Sequence, residues 1–325
     1  MKILVTGAAG FIGMHVAQRL LAAGHEVRGL DNLNPYYDVR LKHYRLEVLQ
    51  KSKKFDFIRL DLKDREAVAE LFDQERYDVV VHLAAQAGVR YSLEAPFEYV
   101  DSNLVGFMAI LEGIRVQGCG HFIYASSSSV YGENSKVPFE EEDRVDEPVS
   151  LYAATKKANE MMAHSYATLY KIPTTGLRFF TVYGPAGRPD MAPWLFTEAI
   201  YSDKPIRIFN NGDMYRDFTY VDDIVDGVEQ VMQRPPSGRN PHRVLNIGHG
   251  SPVPLMGFIE AIELALGKKA RKDFDEMQLG DVPITFASTA KFHSLTGYKP
   301  SVGVDKGVTK FVNWYIEQWL PYSRG

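Results

Sequence analysis

A tyrosine and a lysine four residues apart, in Tyr152-Ala153-Ala154-Thr155-Lys156, can do proton chemistry if they share one helix face. An ammonium beside a phenol favours the phenolate, and the tyrosine then serves as a base near neutral pH. A lone pair of this kind is common by chance, but here it follows two other chemical groups. A run of four serines, Ser126-Ser127-Ser128-Ser129, lies upstream. Near the start, Gly7-Ala8-Ala9-Gly10-Phe11-Ile12-Gly13 has the G-x-x-G-x-x-G spacing that lets backbone approach a pyrophosphate at a helix N-terminus.

These groups need elements to position them. Ile3–Thr6 reads as a buried parallel strand that stops at glycine, and Phe11–Leu21 as a helix closed by Gly24. Val27–Asp31 is a second strand. Its last residue, Asp31, comes 18 residues after Gly13. A carboxylate there accepts bonds from ribose hydroxyls and repels a 2′-phosphate, which favours NAD over NADP. Asn32 follows it. A third strand over Phe57–Leu62 carries Asp61 and Leu62 to the adenine edge, and Asp64 caps a helix through Glu75. The fourth, Asp78–Ala84, delivers Leu83, Ala84 and Ala85, which let a cofactor pass close. A helix over Ala95–Gln117, a strand His121–Ser126, a long helix Tyr152–Tyr170 and a strand Thr174–Phe180 complete the alternation. The pattern predicts an α/β fold with a Rossmann-type doubly wound parallel sheet.

After Tyr183-Gly184-Pro185 the rhythm loosens. Strand-like pieces remain at Pro205–Phe209 and Val244–Ile247, with helices at Val221–Met232 and Leu255–Leu266 and an apolar stripe from Val304 to Trp319. The expected division is an NAD-binding domain over residues 1–180 and a smaller α/β domain over 181–325. The second mainly binds substrate and can interleave with the first.

Composition narrows the class. With 325 residues, 45% hydrophobic and 24% charged, the chain reads as globular, and a net charge of -4 argues against a nucleic-acid partner. The basic runs Lys51–Lys54 and Lys268–Lys272 read as solvated loops or helix ends. One cysteine, Cys119, excludes an internal disulfide framework and agrees with a reducing compartment. No histidine spacing suits a metal, no apolar run suits a membrane span, and no signal peptide precedes Gly7. The expectation is a soluble, cytoplasmic enzyme without a metal.

Taken together, the three glycines, Asp31, the serines and Tyr152/Lys156 resemble the extended short-chain dehydrogenase/reductase superfamily over essentially the whole chain. The resemblance implies roles. Ser127, three residues before Val130-Tyr131-Gly132, would hydrogen-bond the sugar oxygen, Tyr152 would be the acid/base, and Lys156 would hold the nicotinamide ribose and lower the tyrosine pKa. Asn103 matches the helix asparagine that supports this site. The cofactor contacts implied are Gly7, Gly10, Phe11, Ile12, Gly13, Asp31, Asn32, Asp61, Leu62, Leu83, Ala84, Ala85, Asn103, Tyr152 and Lys156.

Dehydratases of the superfamily carry an Asp-Glu pair after the catalytic hydroxyl, and UDP-glucuronate decarboxylases carry a Glu there. This chain has Ser128 and Ser129, neither of them a carboxylate. Two longer strings, Arg178 to Ala192 and Asn211 to Asp223, resemble the UDP-glucuronate 4-epimerases. That resemblance implies epimerisation of UDP-glucuronic acid to UDP-galacturonic acid through a transient 4-keto sugar, on a tightly bound NAD regenerated each turnover. It assigns Arg188 and Thr181 to the carboxylate end, Ser127 and Ser128 to the sugar, Arg216 to the diphosphate, and Gln278 and Asp281 to the uridine ribose. Two alternatives stay open: a UDP-glucose or UDP-N-acetylglucosamine 4-epimerase, and a UDP-glucuronate decarboxylase. The superfamily habit also implies a homodimer built on the helices near Ala95–Gln117 and Tyr152–Tyr170.

Overall fold

In a computed structural model, which describes residues 1–278 and 281–324, seven strands form one parallel sheet. Six come from residues 1–180: β1 (Lys2–Thr6), β2 (Glu26–Asp31), β3 (Phe55–Arg59), β4 (Val79–His82), β5 (His121–Ser127) and β6 (Thr174–Phe179). The seventh, β7 (His242–Ile247), comes from beyond residue 181 and pairs with β6 at the sheet edge. The order is β7-β6-β5-β4-β1-β2-β3. It reverses between β1 and β4, the crevice where α/β sheets bind ligands. The sheet strands are apolar through their interiors, as Leu4, Val5, Val80, Val81, Phe122 and Ile123 show, because helices cover both faces.

The covering helices are α1 (Phe11–Ala22), α2 (Val39–Gln50), α3 (Arg65–Gln74), α4 (Gly106–Gln117) and α5 (Leu151–Tyr170). Three side-chain caps set their starts: Asp38 accepts from Arg40 N, Asp64 from Ala67 N and Ser150 from Ala153 N. The sequence reading has no helix at α2. Its buried stripe mixes Leu41, Leu46 and Leu49 with Lys42 and Arg45, and two buried cations erase the apolar periodicity.

Several boundaries differ from expectation, and two of the differences have identifiable reasons. The third strand runs over Phe55–Arg59 rather than Phe57–Leu62, because its partner β2 ends at Asp31, opposite Arg59. Leu60 and Leu62 still bury, but in the loop that follows. The expected helix Ala95–Gln117 is interrupted. Ala95 sits at φ -129°, Pro96 starts a short turn to Tyr99, and Val100–Val105 winds as a π-helical turn before α4. Such turns are widened helix segments that recur at functional sites.

The second half forms smaller units. The strands Thr181–Tyr183 and Phe218–Tyr220 pair in parallel, as do Pro205–Ile208 and Arg271–Phe274. The helix Val221–Met232 packs on α1, with Arg19 bonded to Asp226 between them. Two helices of this half, Ala192–Tyr201 and Ala290–Thr296, have no counterpart in the sequence reading. Among the described residues no helix is long and apolar enough to cross a membrane.

Candidate active site

The glycine loop is shaped by close approach. Gly7, at φ +72°, and Ala8 both donate to the Leu30 carbonyl, at 2.7 and 3.1 Å. A Cβ on Gly7 would stand 2.8 Å from Ala84 N, and one on Gly13 would stand 2.0 Å from the Gly7 carbonyl oxygen. Side chains at these positions would push β4 and α1 away from the loop. Gly10 is the N-cap of α1 and offers no side-chain bond, so the first-turn N–H groups are left for a ligand. Behind the loop, Thr6 Oγ1 lies 2.8 Å from His82 Nδ1 and accepts from Ala84 N at 3.1 Å, locking the β1 and β4 ends together.

A cavity of about 350 Å³ opens from this loop. Gly7, Gly10, Phe11, Ile12, Gly13, Asp31, Asn32, Asp61, Leu62, Leu83, Ala84 and Ala85 all line it. Asp31 is buried, accepts from Leu33 N at 2.8 Å, and faces Lys42 Nζ at 3.4 Å. Asn32 donates to Asp61 at 3.2 Å and ties the β2 and β3 ends. Lys42 is a lining residue that sequence reasoning missed, because it lies on the unrecognised helix. The three glycines of the loop, the uncapped helix start and a carboxylate at the β2 end together fit a dinucleotide such as NAD.

The same cavity reaches Ser127, Ser128, Ser129, Tyr152 and Lys156. Ser127 ends β5, and its Oγ accepts from Ser129 N and donates to Ser129 Oγ, both at 3.1 Å. The Ser150 cap starts α5 so that Tyr152 stands in its first turn and Lys156 one turn on. Lys156 Nζ donates to the Ala125 carbonyl at 2.9 Å and stands 6.0 Å from the Tyr152 ring centre. Burial lowers the lysine pKa to about 8. Burial also raises the tyrosine above its ordinary value, while a hydrogen bond with Ser127 and the Arg188 charge pull it back part-way. The expected pull of the lysine toward phenolate is opposed here by burial. In the ligand-free protein desolvation prevails, and the phenol keeps its proton at neutral pH.

Asn103 sits in the π-helical turn rather than on the cavity wall. Its amide oxygen accepts from Gln86 N at 2.8 Å, and its amide nitrogen donates to Gln86 O at 3.0 Å and Thr155 Oγ1 at 3.1 Å. Asn159 Nδ2 donates to the Asn103 carbonyl at 2.6 Å. The widened turn thus fastens the loop after β4 to the helix that carries Tyr152.

Thr181 and Arg188 line the same cavity. Arg188 Nε donates to Asp190 Oδ1 at 3.0 Å, and its Nη2 bonds Asp190 Oδ2. Tyr36 donates to the same carboxylate at 3.0 Å. Desolvation works against both charges, yet their pairing holds Asp190 below and Arg188 above its usual range. Neither Tyr36 nor Asp190 stands out in the sequence, since a loop tyrosine and a loop aspartate have no periodicity to reveal them.

Arg216, Gln278 and Asp281 lie outside the lining of this cavity. They belong to a second cluster. Asp281 accepts from Arg90 at 3.2 Å, and the Arg90 guanidinium stands 5.2 Å over the Phe209 ring. Arg216 donates to the Tyr215 and Pro283 carbonyls at 3.0 and 3.1 Å. Burial lowers its pKa while Asp281 opposes that. Gln278 Oε1 is buried with no hydrogen-bond partner among the described residues. Leu279 and Gly280, inside the same string, lie outside those residues.

Comparison with known proteins converges on one family. Residues 3–248 match the model of the NAD dependent epimerase/dehydratase family. The chain is 51% identical to "Protein CapI" of Staphylococcus aureus, covering 98% of this chain and 99% of that protein. It is 51% identical to a "Probable UDP-glucuronate 4-epimerase" of Rhizobium meliloti (strain 1021), over 98% of each. Among solved structures it is similar to the UDP-glucuronic acid 4-epimerase of Bacillus cereus in complex with UDP-glucuronic acid and NAD. There the TM-score is 0.90 at 36% identity, covering 98% of this chain and 99% of that one.

Proposed function

The chain belongs to the NAD dependent epimerase/dehydratase family, and we propose that it inverts carbon 4 of UDP-glucuronic acid, giving UDP-galacturonic acid. The observation that carries this reading is the lining of one cavity by Ser127, Tyr152 and Lys156 together with Arg188. The first three handle a hydroxyl proton, and a guanidinium binds carboxylate through two parallel bonds. Among the described residues of that lining, the carboxylates are Asp31 and Asp61, both at the β2–β3 end. Among the described residues of the lining, none near Ser127 is an acid that could drive elimination.

We assign the roles accordingly. Gly7, Gly10, Phe11, Ile12 and Gly13 hold the pyrophosphate of NAD; Asp31 and Asn32 take the ribose, and Asp61 and Leu62 the adenine edge. Leu83, Ala84 and Ala85 form the floor, and Asn103 supports them. Bound there, the nicotinamide accepts a hydride from carbon 4 and later returns it, and its positive charge favours ionisation of a nearby phenol. Tyr152 takes the proton of the 4-hydroxyl and gives it back after the sugar turns. Ser127 hydrogen-bonds the same oxygen, and Lys156 orients the ribose from the Ala125 side. The 4-keto sugar is a β-keto acid. Ser128 contacts the sugar, while Thr181 and Arg188 hold its carboxylate near the ring plane, which keeps the scissile carbon–carbon bond out of line with the carbonyl π-system. Arg216, Gln278 and Asp281, with Arg90 and Phe209, receive the diphosphate and uridine.

Residues 1–180 then serve mainly NAD and 181–325 mainly the UDP-sugar. We also propose a homodimer through the helices near Ala95–Gln117 and Tyr152–Tyr170, on which Phe97, Met108, Val116, Met161 and Leu169 are exposed apolar side chains. Light scattering of the purified protein tests that assignment, and a monomeric mass rejects it. The function is tested by incubating purified protein with UDP-glucuronic acid, without added cofactor, and following the sugar nucleotides by proton NMR. UDP-galacturonic acid is the expected product. A UDP-pentose would assign decarboxylation, and turnover of UDP-glucose alone would assign a neutral-sugar epimerase.

A further inference from the structure

Arg45 is fully buried on α2, and none of its bonds goes to a carboxylate. A buried guanidinium normally demands a counter-ion. This one is satisfied instead by neutral oxygens. Nε donates to the Ala186 carbonyl at 3.1 Å, and Nη2 to the Ala186 and Gly187 carbonyls at 2.8 and 2.9 Å. Nη1 donates to the Ala9 carbonyl at 3.0 Å and to Tyr37 Oη at 2.6 Å. Every N–H of the fork is used.

The acceptors lie in two places that chemistry must bring together. Ala9 immediately precedes Gly10, the N-cap of α1 in the glycine loop. Ala186 and Gly187 immediately precede Arg188. Ala186 sits at φ +53°, a left-handed conformation that a residue with a Cβ adopts only when its surroundings enforce it. The neighbouring Pro185 carbonyl is held by His15 Nε2 at 2.9 Å, from α1. Three consecutive carbonyls of the Arg188 loop are therefore gripped from the cofactor side of the molecule.

We propose that Arg45 is a positioning residue acting on both halves of the site. It ties the Ala186–Gly187 backbone, left-handed at Ala186, and hence the base of Arg188, to the glycine loop. It also leaves an uncompensated positive charge one residue from the helix terminus that receives the pyrophosphate. The first effect is geometric and needs the fork. The second is electrostatic and needs only a cation. The assignment rests on the functional reading above through Arg188, but its electrostatic half is read without turnover.

The test separates the two effects. Arg45→Lys keeps the charge and loses the fork; Arg45→Met loses both. For R45K the KM for UDP-glucuronic acid is expected to rise about tenfold with kcat changed less than about threefold, because Tyr152 and Ser127 are untouched. In an Arg188→Ala background, R45K should move KM less than about twofold, since Arg45 acts through the residue already removed. NAD titrated calorimetrically into stripped protein should bind R45K nearly as tightly as wild type, and R45M about tenfold more weakly. An equal KM change in both backgrounds, or unchanged NAD affinity in R45M, overturns the proposal. Should R45K fail to fold, Tyr37→Phe removes one acceptor of the fork, with a KM rise of about threefold expected. An unchanged KM there also overturns it. If wild type produces no epimer, the functional reading fails, and the NAD titration still judges the charge.

Discussion

Replacing Arg188 by glutamine removes the group that pairs with the substrate carboxylate and also unbalances its neighbour. A charge-assisted bond of this kind contributes about 1.5–3 kcal/mol to binding. The Arg188 side chain is 23% exposed, so the lower end applies. The second effect comes from Asp190. In the wild type its carboxylate is neutralised by Arg188 and bonded by Tyr36. With Arg188 gone it would face the incoming carboxylate. Two unit charges about 6 Å apart repel by about 3 kcal/mol at an effective dielectric near 20, and screening removes about half of that. The two effects sum to about 3 kcal/mol, or roughly a hundredfold rise in KM for UDP-glucuronic acid. Arg188→Gln combined with Asp190→Asn removes the repulsive part and should recover about tenfold. With the carboxylate no longer clamped, a UDP-pentose should accumulate beside the epimer. Initial rates and proton NMR of the products measure both quantities. A KM for R188Q within threefold of wild type, with no pentose and no recovery in the double variant, would refute the reasoning.

Other outcomes follow from the same geometry. Asp31→Ala leaves Lys42 without its carboxylate, so the NADP-to-NAD affinity ratio should rise at least about tenfold in calorimetric titration; an unchanged ratio would show that Asp31 does not exclude a 2′-phosphate. Burial raises the Tyr152 pKa, so the protonated form is favoured at neutral pH in the NAD-free protein. Absorbance at 295 nm, taken as wild type minus Y152F, should show no phenolate below about pH 10, and NAD should bring its onset to lower pH. A phenolate near pH 7 without NAD contradicts that. Lys156, held at about 8 by burial, loses its positive charge as the pH rises through that value. Asn103→Leu strands the Gln86 backbone groups, while Thr155 keeps its bond to the Tyr152 carbonyl. It should destabilise the fold by about 2–4 kcal/mol in urea unfolding, with a loss under 1 kcal/mol counting against the role given to the π-helical turn.

The cofactor half of the site was legible because its chemistry is local. Gly7, Gly10 and Gly13 must be glycine for backbone reasons that spacing alone expresses, and Asp31 ends a strand whose apolar run is plain. Tyr152 and Lys156 share a helix face by simple periodicity. What escaped was the layer behind them. Lys42 and Arg45 occupy buried positions of α2, and charged residues there conceal the helix that holds them. Asp190 and Tyr36 act through loop geometry, which leaves no periodic trace. Asn103 was placed on a continuous helix, whereas Pro96 and a π-helical turn divide that segment. The surroundings of Tyr152 were hidden for a related reason: a sequence shows the neighbouring lysine but not the desolvation that opposes it.

The most direct test of the mechanism follows an isotope. UDP-glucuronic acid carrying deuterium at carbon 4 is incubated with the purified protein in ordinary water. If the hydride leaves carbon 4 and returns to its other face, UDP-galacturonic acid retains the deuterium at carbon 4. Product with hydrogen at that carbon, or deuterium found only in a UDP-pentose, would contradict epimerisation by internal hydride return.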